Sequence, residues 1–240
     1  MDAVNKLLMI HGYNHDPDDP EHDPGRPGGN FPTWEGIFTE SECIRVPWYS
    51  AIQFRDTFRA LSNGHSTTYR YAYLDLVPKA VQSVLAIVDG LDEPADIVAH
   101  SLGTRVALQA VLARPVKFRR VLMLNGAEIE RVAKPIIKAN TGVQFLNIAV
   151  YEDDVLNYMG DRFAPGEGKK RCIGNGMPAG VRRLSNFDEI VLDDEDDYEF
   201  FLDRYGWNLA GDGPSAGDHS YSFLHDGNYE LFRRFFRGDL

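Results

Sequence analysis

The segment that decides the fold runs from Asp96 to Leu108 and reads DIVAHSLGTRVAL. An apolar run leads directly into a small-x-Ser-x-Gly turn centred on Ser101, and an amphipathic helical pattern follows at once. So tight a turn between a strand and a helix needs small residues on both sides of the serine, and Ala99 and Gly103 meet that need. The pattern predicts Ser101 as a nucleophile at the carboxyl edge of a sheet; the alternative is a simple helix N-cap.

Short apolar runs alternate with helical patterns on both sides of this segment. Such alternation predicts an α/β fold, with a mostly parallel sheet of about six strands and helices on both faces. The expected strands are Lys6 to Ile10, Ile44 to Pro47, Asp96 to Ala99, Arg120 to Leu124, Gln144 to Val150 and Glu189 to Leu192. The expected helices are Pro78 to Val88, Ser101 to Ala113 and Asn228 to Phe236.

The length of 240 residues fits one domain, so we expect residues 1–240 to form a single unit. Two long loops interrupt the pattern. Residues 15–32 are dense in Asp, Pro and Gly, and residues 161–187 are polar and Gly-rich with a short basic run, Lys169-Lys170-Arg171. Loops of this length are often lids or binding loops, so both are candidates for a lid or cap; surface insertion is the alternative.

The composition is that of an acidic globular protein. Apolar residues make up 43% of the chain, and 36 acidic against 25 basic residues give a formal charge of −11. Nucleic acid is therefore not an expected partner, because its binding depends on neutralising phosphates with Lys and Arg. No run of about 18 apolar residues occurs, so we expect no membrane span and a cytoplasmic location. Nothing in the sequence predicts an oligomeric state.

No metal or cofactor site is predicted. Residues 15–23 hold several Asp and His side chains, but their spacing lacks the Gly and Glu of an EF-hand loop, and we interpret them as a solvated acidic loop. Neither a P-loop nor a dinucleotide fingerprint occurs. Cys43 and Cys172 are too few for a disulfide framework, so idle thiols are expected, with a single bridge as the alternative.

With its AHSLG elbow, the sequence resembles the α/β-hydrolase fold, in particular the lipase-like and esterase-like members that carry an HGYN segment. Here that segment follows the first strand in Leu7 to Asn14, which reads LLMIHGYN. The resemblance implies an oxyanion hole made by the backbone N–H groups of Tyr13 and Leu102, with His11 orienting the loop. It also implies that the first two strands of the fold are absent. Ala99 departs from the family's usual Gly.

The resemblance further implies an acidic residue and then a histidine, in that order after the serine. Past the apolar run Phe145 to Val150, the family's Asp-x-apolar-apolar pattern selects Asp153 as the acid. Asp154 is the near rival and Glu152 a more distant one. Glu128, after the preceding strand, is a further alternative.

The base must come from the last quarter of the chain, where only two histidines follow Asp153. His219 lies in a Gly-x-His-Ser-Tyr segment, where similar hydrolases carry the catalytic histidine, and His225 is the alternative. The implied activity is a serine hydrolase that cleaves small-molecule carboxylic esters through an acyl-enzyme, with no cofactor. An acyltransferase or amidase using the same residues, or a non-catalytic binding protein on this fold, is the alternative.

Overall fold

The computed structural model of the chain describes residues 5–13, 15–16, 19–46, 48–50, 68–160, 171–178, 180–181, 183–209, 219 and 221–240. Its centre is one parallel sheet. The strands are β1 (Lys6–Ile10), β2 (Glu42–Val46), β3 (Ala95–His100), β4 (Phe118–Leu124), β5 (Gln144–Ala149) and β6 (Phe187–Val191). Their order across the sheet is β2-β1-β3-β4-β5-β6, and every neighbouring pair is parallel.

The strand order reverses at β1. From β1 the chain moves outward to β2, and it then returns to place β3 on the other side of β1. Loops that leave two adjacent strands in opposite directions open a crevice at the carboxyl edge of the sheet. The crevice here lies between the segment after β1, which begins at His11, and the segment after β3, which begins at Ser101.

Helices cover both faces of the sheet. In the described part of the chain they are α1 (Asn30–Ile37), α2 (Thr68–Asp89), α3 (Gly103–Ala113), α4 (Glu130–Ala139), α5 (Glu195–Tyr205), α6 (Tyr221–Leu224) and α7 (Tyr229–Arg237). Successive side chains of β1 belong to the two hydrophobic cores on opposite faces of the sheet. Leu8 belongs to the core on the face covered by α2, α3 and α4, and Leu7 to the core on the face covered by α1, α5 and α7. This alternation is what a sheet buried on both faces requires.

Each predicted strand and helix is present, with boundaries within about two residues of the prediction except at the start of α2. The main corrections concern helix starts. The helix expected from Pro78 begins ten residues earlier, at Thr68, and includes a π-helical turn over Ala72–Leu76. The helix expected from Ser101 begins at Gly103, because Ser101 has a left-handed backbone with φ 53°.

Both predicted loops are shorter than expected at their ends. Asn30–Ile37 is helical, so α1 takes the last three residues of the 15–32 stretch; a proline such as Pro32 fits the first turn of a helix, where its missing N–H is not needed. The 161–187 stretch ends with the first residue of β6 and holds a 3₁₀ turn at Ile173–Asn175. Residues 161–170, which include Lys169 and Lys170, lie outside the described residues, as do Asn14 and Pro47.

One helix of the described chain, α2, is long and apolar enough to cross a membrane by length and composition alone. Such helices are also common in protein cores, and 56% of its apolar window is buried inside the domain. Val77, Val84 and Val88 of α2 belong to the core on one side of the sheet. The helix therefore has a packing role within the fold.

Candidate active site

Ser101 lies at a sharp turn that its neighbours hold in place. A left-handed backbone is unfavourable for a residue with a side chain, by about 1–2 kcal/mol. The Ser101 N–H donates to the carbonyl oxygen of Leu124 at 3.0 Å. The Ser101 carbonyl oxygen accepts from the N–H of Ala127 at 2.9 Å and from the Thr104 hydroxyl at 2.7 Å. These bonds tie the turn to the end of β4 and to the first turn of α3.

The loop after β1 rests directly on this turn. A Cβ atom added to Gly12 would lie 2.7 Å from the Cβ of Ser101, and one added to Gly103 would lie 2.4 Å from the carbonyl oxygen of His11. Neither distance is compatible with a side chain unless the backbone moves. Glycine at both positions therefore lets the two loops approach each other.

His11 is buried and holds the loop in position. Its Nδ1 lies 2.9 Å from the carbonyl oxygen of Gly12, and its Nε2 lies 3.2 Å from the backbone N–H of Trp48. Burial lowers the pKa of His11 well below its ordinary value, so the ring is neutral. The tautomer that satisfies both contacts donates from Nδ1 and accepts at Nε2. With both nitrogens occupied, His11 orients the loop and is not placed to act as a base.

The backbone N–H groups of Tyr13 and Leu102 follow Gly12 and Ser101 directly. The Leu102 N–H, at the N-terminus of α3, has no acceptor among the described residues. The Tyr13 side chain is anchored by its hydroxyl, which donates to Thr68 Oγ1 at 3.0 Å. Both residues thus adjoin the contact between Gly12 and Ser101 in the chain.

Asp153 and His219, which are 66 residues apart in the chain, form a direct pair. His219 Nδ1 lies 2.7 Å from Asp153 Oδ2. The carboxylate is fully buried, and it also accepts from the side-chain amide of Asn125 at 2.9 Å and from the N–H of Leu156 at 3.0 Å. A carboxylate with this many donors has a fixed orientation, so it fixes the ring beside it.

The rival acids are placed differently. Asp154 and Glu152 are exposed. Glu128 is buried, but its carboxylate pairs with the Arg105 guanidinium at 2.6 Å, accepts from the Tyr73 hydroxyl, and touches no histidine among the described residues. Burial raises the pKa of Glu128, and Arg105 opposes that rise. Among the four candidate acids, Asp153 is the one that meets a histidine.

Ser101 and His219 line one cavity of about 570 Å³ at the crevice of the sheet. The Nε2 of His219 is buried and has no hydrogen-bond partner among the described residues, so the bond to the serine hydroxyl is not made here. Catalytic hydrogen bonds often tighten only when substrate is bound. His225, the alternative base, is not among the residues that line this cavity.

His100, which precedes the serine, is a site residue that the sequence analysis did not assign. Its ring lies 4.8 Å from the His219 ring, and its Nε2 lies 2.9 Å from the His219 carbonyl oxygen. Burial lowers the pKa of His100 well below its ordinary value. A neutral ring facing a carbonyl oxygen must carry its proton on Nε2. The one feature of the sequence that could have indicated a site role for His100 is its position next to Ser101.

Part of the 15–32 stretch forms a wall of the cavity. His15, His22 and Asp23 contribute side chains to this wall, and Arg26 and Asn30 continue it. The stretch thus lies over the crevice, although its role as a lid stays a prediction. Among the described residues no group of His, Cys, Asp or Glu is arranged to hold a metal ion.

Comparisons with known proteins bear on the fold. No protein-family model matches the chain, and no curated protein matches it. A Pectobacterium atrosepticum structure provisionally described as a YdeN-like hydrolase matches with a TM-score of 0.51 and 12% identity, over 99% of this chain and 93% of that chain. Dienelactone hydrolase from Anabaena variabilis matches with a TM-score of 0.51 and 11% identity, over 99% and 87%. The chain therefore has the α/β-hydrolase fold.

Proposed function

We propose that this protein is a serine hydrolase that cleaves carboxylic esters through an acyl-enzyme intermediate. The observation that carries the proposal is the 2.7 Å pair between His219 Nδ1 and the buried Asp153 carboxylate, beside a cavity that Ser101 also lines. A hydroxyl is a weak nucleophile until a base takes its proton, and the base needs a carboxylate to hold its tautomer. These three side chains supply those roles.

In the first half of the reaction, Ser101 Oγ attacks the ester carbonyl carbon while His219 Nε2 takes the hydroxyl proton. Asp153 accepts from Nδ1–H and stabilises the positive ring. The carbonyl oxygen becomes negative and is bound by the N–H groups of Tyr13 and Leu102; loss of one such donor typically costs about 10²–10³ in rate. The intermediate then expels the alcohol, which takes the proton from His219.

In the second half, a water molecule attacks the acyl carbon bound to Ser101, and His219 takes a proton from that water. The second tetrahedral intermediate breaks the bond to Ser101 Oγ. His219 returns its proton to the serine, and the carboxylic acid leaves. All proton transfers pass through the same nitrogen, Nε2, which has no hydrogen-bond partner among the described residues.

A fluorophosphonate probe tests the proposal, because it labels only an activated serine. We expect stoichiometric labelling that is lost in Ser101→Ala and kept in Ser83→Ala, a change at an exposed serine of α2. Hydrolysis of a short-chain p-nitrophenyl ester should follow the same pattern. A folded wild-type protein that is neither labelled nor active would instead be a non-catalytic binding protein on this fold.

A further inference from the structure

The wall of the cavity carries buried polar atoms that the mechanism does not use. The Tyr69 hydroxyl, the Asn30 amide nitrogen and His100 Nδ1 have no hydrogen-bond partner among the described residues, and all three residues line the cavity. Buried polar groups in folded proteins are nearly always hydrogen-bonded, because leaving such a bond unmade is unfavourable. These atoms are therefore available to polar groups of a molecule that enters the cavity.

The Tyr69 side chain is a buried donor in this wall. It lies in the first turn of α2, is only 4% exposed, and has its ring 5.6 Å from the Tyr13 ring in an edge-on contact. Burial raises the pKa of Tyr69 well above its ordinary value, so the hydroxyl keeps its proton. The next tyrosine on this side of the helix, Tyr73, instead donates its hydroxyl to Glu128. The Tyr69 hydroxyl has no such acceptor among the described residues.

The position of Tyr69 indicates which part of a substrate it meets. The alcohol of an ester must leave on the side of His219, because that ring protonates it. His219 packs against His100, whose ring meets Phe223. Among the described residues, Tyr69 makes ring contacts with Tyr13, whose backbone N–H is the proposed oxyanion donor, and with Tyr73. Its place beside the proposed oxyanion loop assigns Tyr69 to the acyl side of the reacting carbonyl, away from the leaving alcohol.

We propose that the Tyr69 hydroxyl donates a hydrogen bond to an oxygen in the acyl chain of the substrate. This inference rests on the proposed hydrolase function and names its substrate class: esters whose acyl chain carries an uncharged acceptor, such as an ether, keto or hydroxyl oxygen. Plain alkyl esters leave the buried hydroxyl unpaired in the complex, and a site of this kind discriminates against ligands that lack the acceptor.

The charges at the cavity favour a neutral acceptor over a carboxylate. Among the described residues, Glu21 and Asp23 line the cavity against a single Lys or Arg, Arg26, and the whole chain has a formal charge of −11 with histidines neutral. An anionic acyl group would approach like charges, which is unfavourable. The Asn30 amide nitrogen adds a second neutral donor to the same cavity.

Isosteric esters test the inference. We would compare p-nitrophenyl alkanoates with partners in which an ether oxygen replaces one CH₂, moved stepwise along the acyl chain. Each kcat/KM is divided by the rate of hydroxide-catalysed hydrolysis of the same ester, which removes differences in intrinsic reactivity. For the best-placed oxygen we expect the wild type to prefer the ether ester by about tenfold. Tyr69→Phe should abolish this preference by lowering kcat/KM of the ether ester to that of the alkanoate.

Tyr71→Phe is the matched control, because Tyr71 is a buried tyrosine of the same helix that does not line the cavity. It should keep the ether preference. An active, probe-labelled wild type with no ether preference at any chain position would overturn the inference alone, as would equal losses on both ester series in Tyr69→Phe. A folded wild type that is neither labelled nor active overturns the proposed function, and the inference with it.

Discussion

The Nε2–H of His100 donates to the carbonyl oxygen of His219 at 2.9 Å, so the residue before the proposed nucleophile holds the backbone of the proposed base. The two residues are 119 positions apart in the chain, and their rings lie 4.8 Å from each other. Burial lowers the pKa of His100 well below its ordinary value, and a neutral ring that faces this carbonyl oxygen carries its proton on Nε2. His100 is thus a positioning residue for His219.

Removing that donor should slow turnover. We expect His100→Leu to lower kcat for a p-nitrophenyl ester by up to about 10²-fold, because a displacement of about 1 Å at a reacting group has that effect. His100→Gln, which keeps a side-chain N–H donor, should recover most of the rate. If both variants lose the same amount, the ring acts through packing alone. If neither loses activity, the His219 backbone does not depend on this bond.

Stability should fall in mild acid. Burial lowers the pKa of His11 and His100 below the ordinary value of 6.5, so the unfolded chain binds protons on these rings that the native protein does not. The contribution of the two neutral rings to the free energy of unfolding is therefore fully present above about pH 6.5. It declines as the pH falls below that value, by up to about 1.4 kcal/mol per pH unit for each ring. Urea unfolding between pH 7.5 and pH 5.5 measures this slope. His100→Gln should make it shallower, and an identical slope would contradict the assignment.

Two Asp→Asn variants test which carboxylate is the acid of the proposed triad. Asp153→Asn should lower kcat by about 10⁴-fold, the effect expected when the ring loses its correct tautomer. Asp154→Asn should have little effect, because that side chain is exposed. Rates on a short-chain p-nitrophenyl ester, with thermal unfolding as a check on folding, separate the two. Equal and small effects would show that His219 does not work with Asp153.

The choice of base has its own test. His219→Ala should reduce turnover by several orders of magnitude, since removing a member of a triad leaves only the oxyanion hole and binding. His225→Ala should keep most of the activity, because His225 does not line the cavity. Fluorophosphonate labelling rates give an independent measure. The opposite ranking of the two variants would reassign the base.

Close contact between the two loops predicts an effect of Gly12→Ala. The added methyl group would lie 2.7 Å from the Cβ of Ser101 and 3.3 Å from His100 Nδ1, so it must push the loop away from the serine. We expect kcat to fall by about 10²-fold, because the Tyr13 N–H moves with the loop. Gly36→Ala, in α1 with open space around its Cα, should leave activity unchanged and raise stability by about 0.5–1 kcal/mol. Unchanged kcat in Gly12→Ala would contradict the proposed oxyanion loop.

Much of the fold was predictable from local patterns. The strand centres, the turn at Ser101 and the helix after it depend on neighbouring residues, and those were assigned nearly at their observed positions. Helices α1, α4, α5 and α6 were not predicted. Pro135 lies inside α4 and Pro32 in the first turn of α1, and proline obscures a helical pattern even where the structure accommodates it.

The partners within the site were predictable only in part. A family pattern pointed to Asp153 and His219, and the structure brings the two together. Nothing local to Asn125 indicates that its amide would support Asp153, since the bond depends on how β4 and β5 align. The cavity wall formed by Asp23, Arg26 and Asn30 was equally beyond a reading of the chain.

By itself, the sequence determined the parallel sheet, the sharp turn that presents Ser101 and the acidic net charge. The sheet and the turn follow from the pattern of neighbouring residues, and the net charge follows from composition alone. Only the tertiary structure decided that His100 supports His219, that Glu128 pairs with Arg105 and Tyr73, and that the Tyr69 hydroxyl has no hydrogen-bond partner among the described residues. Hydrogen bonds and burial depend on which distant segments meet, and that is settled when the strands pair and the helices pack.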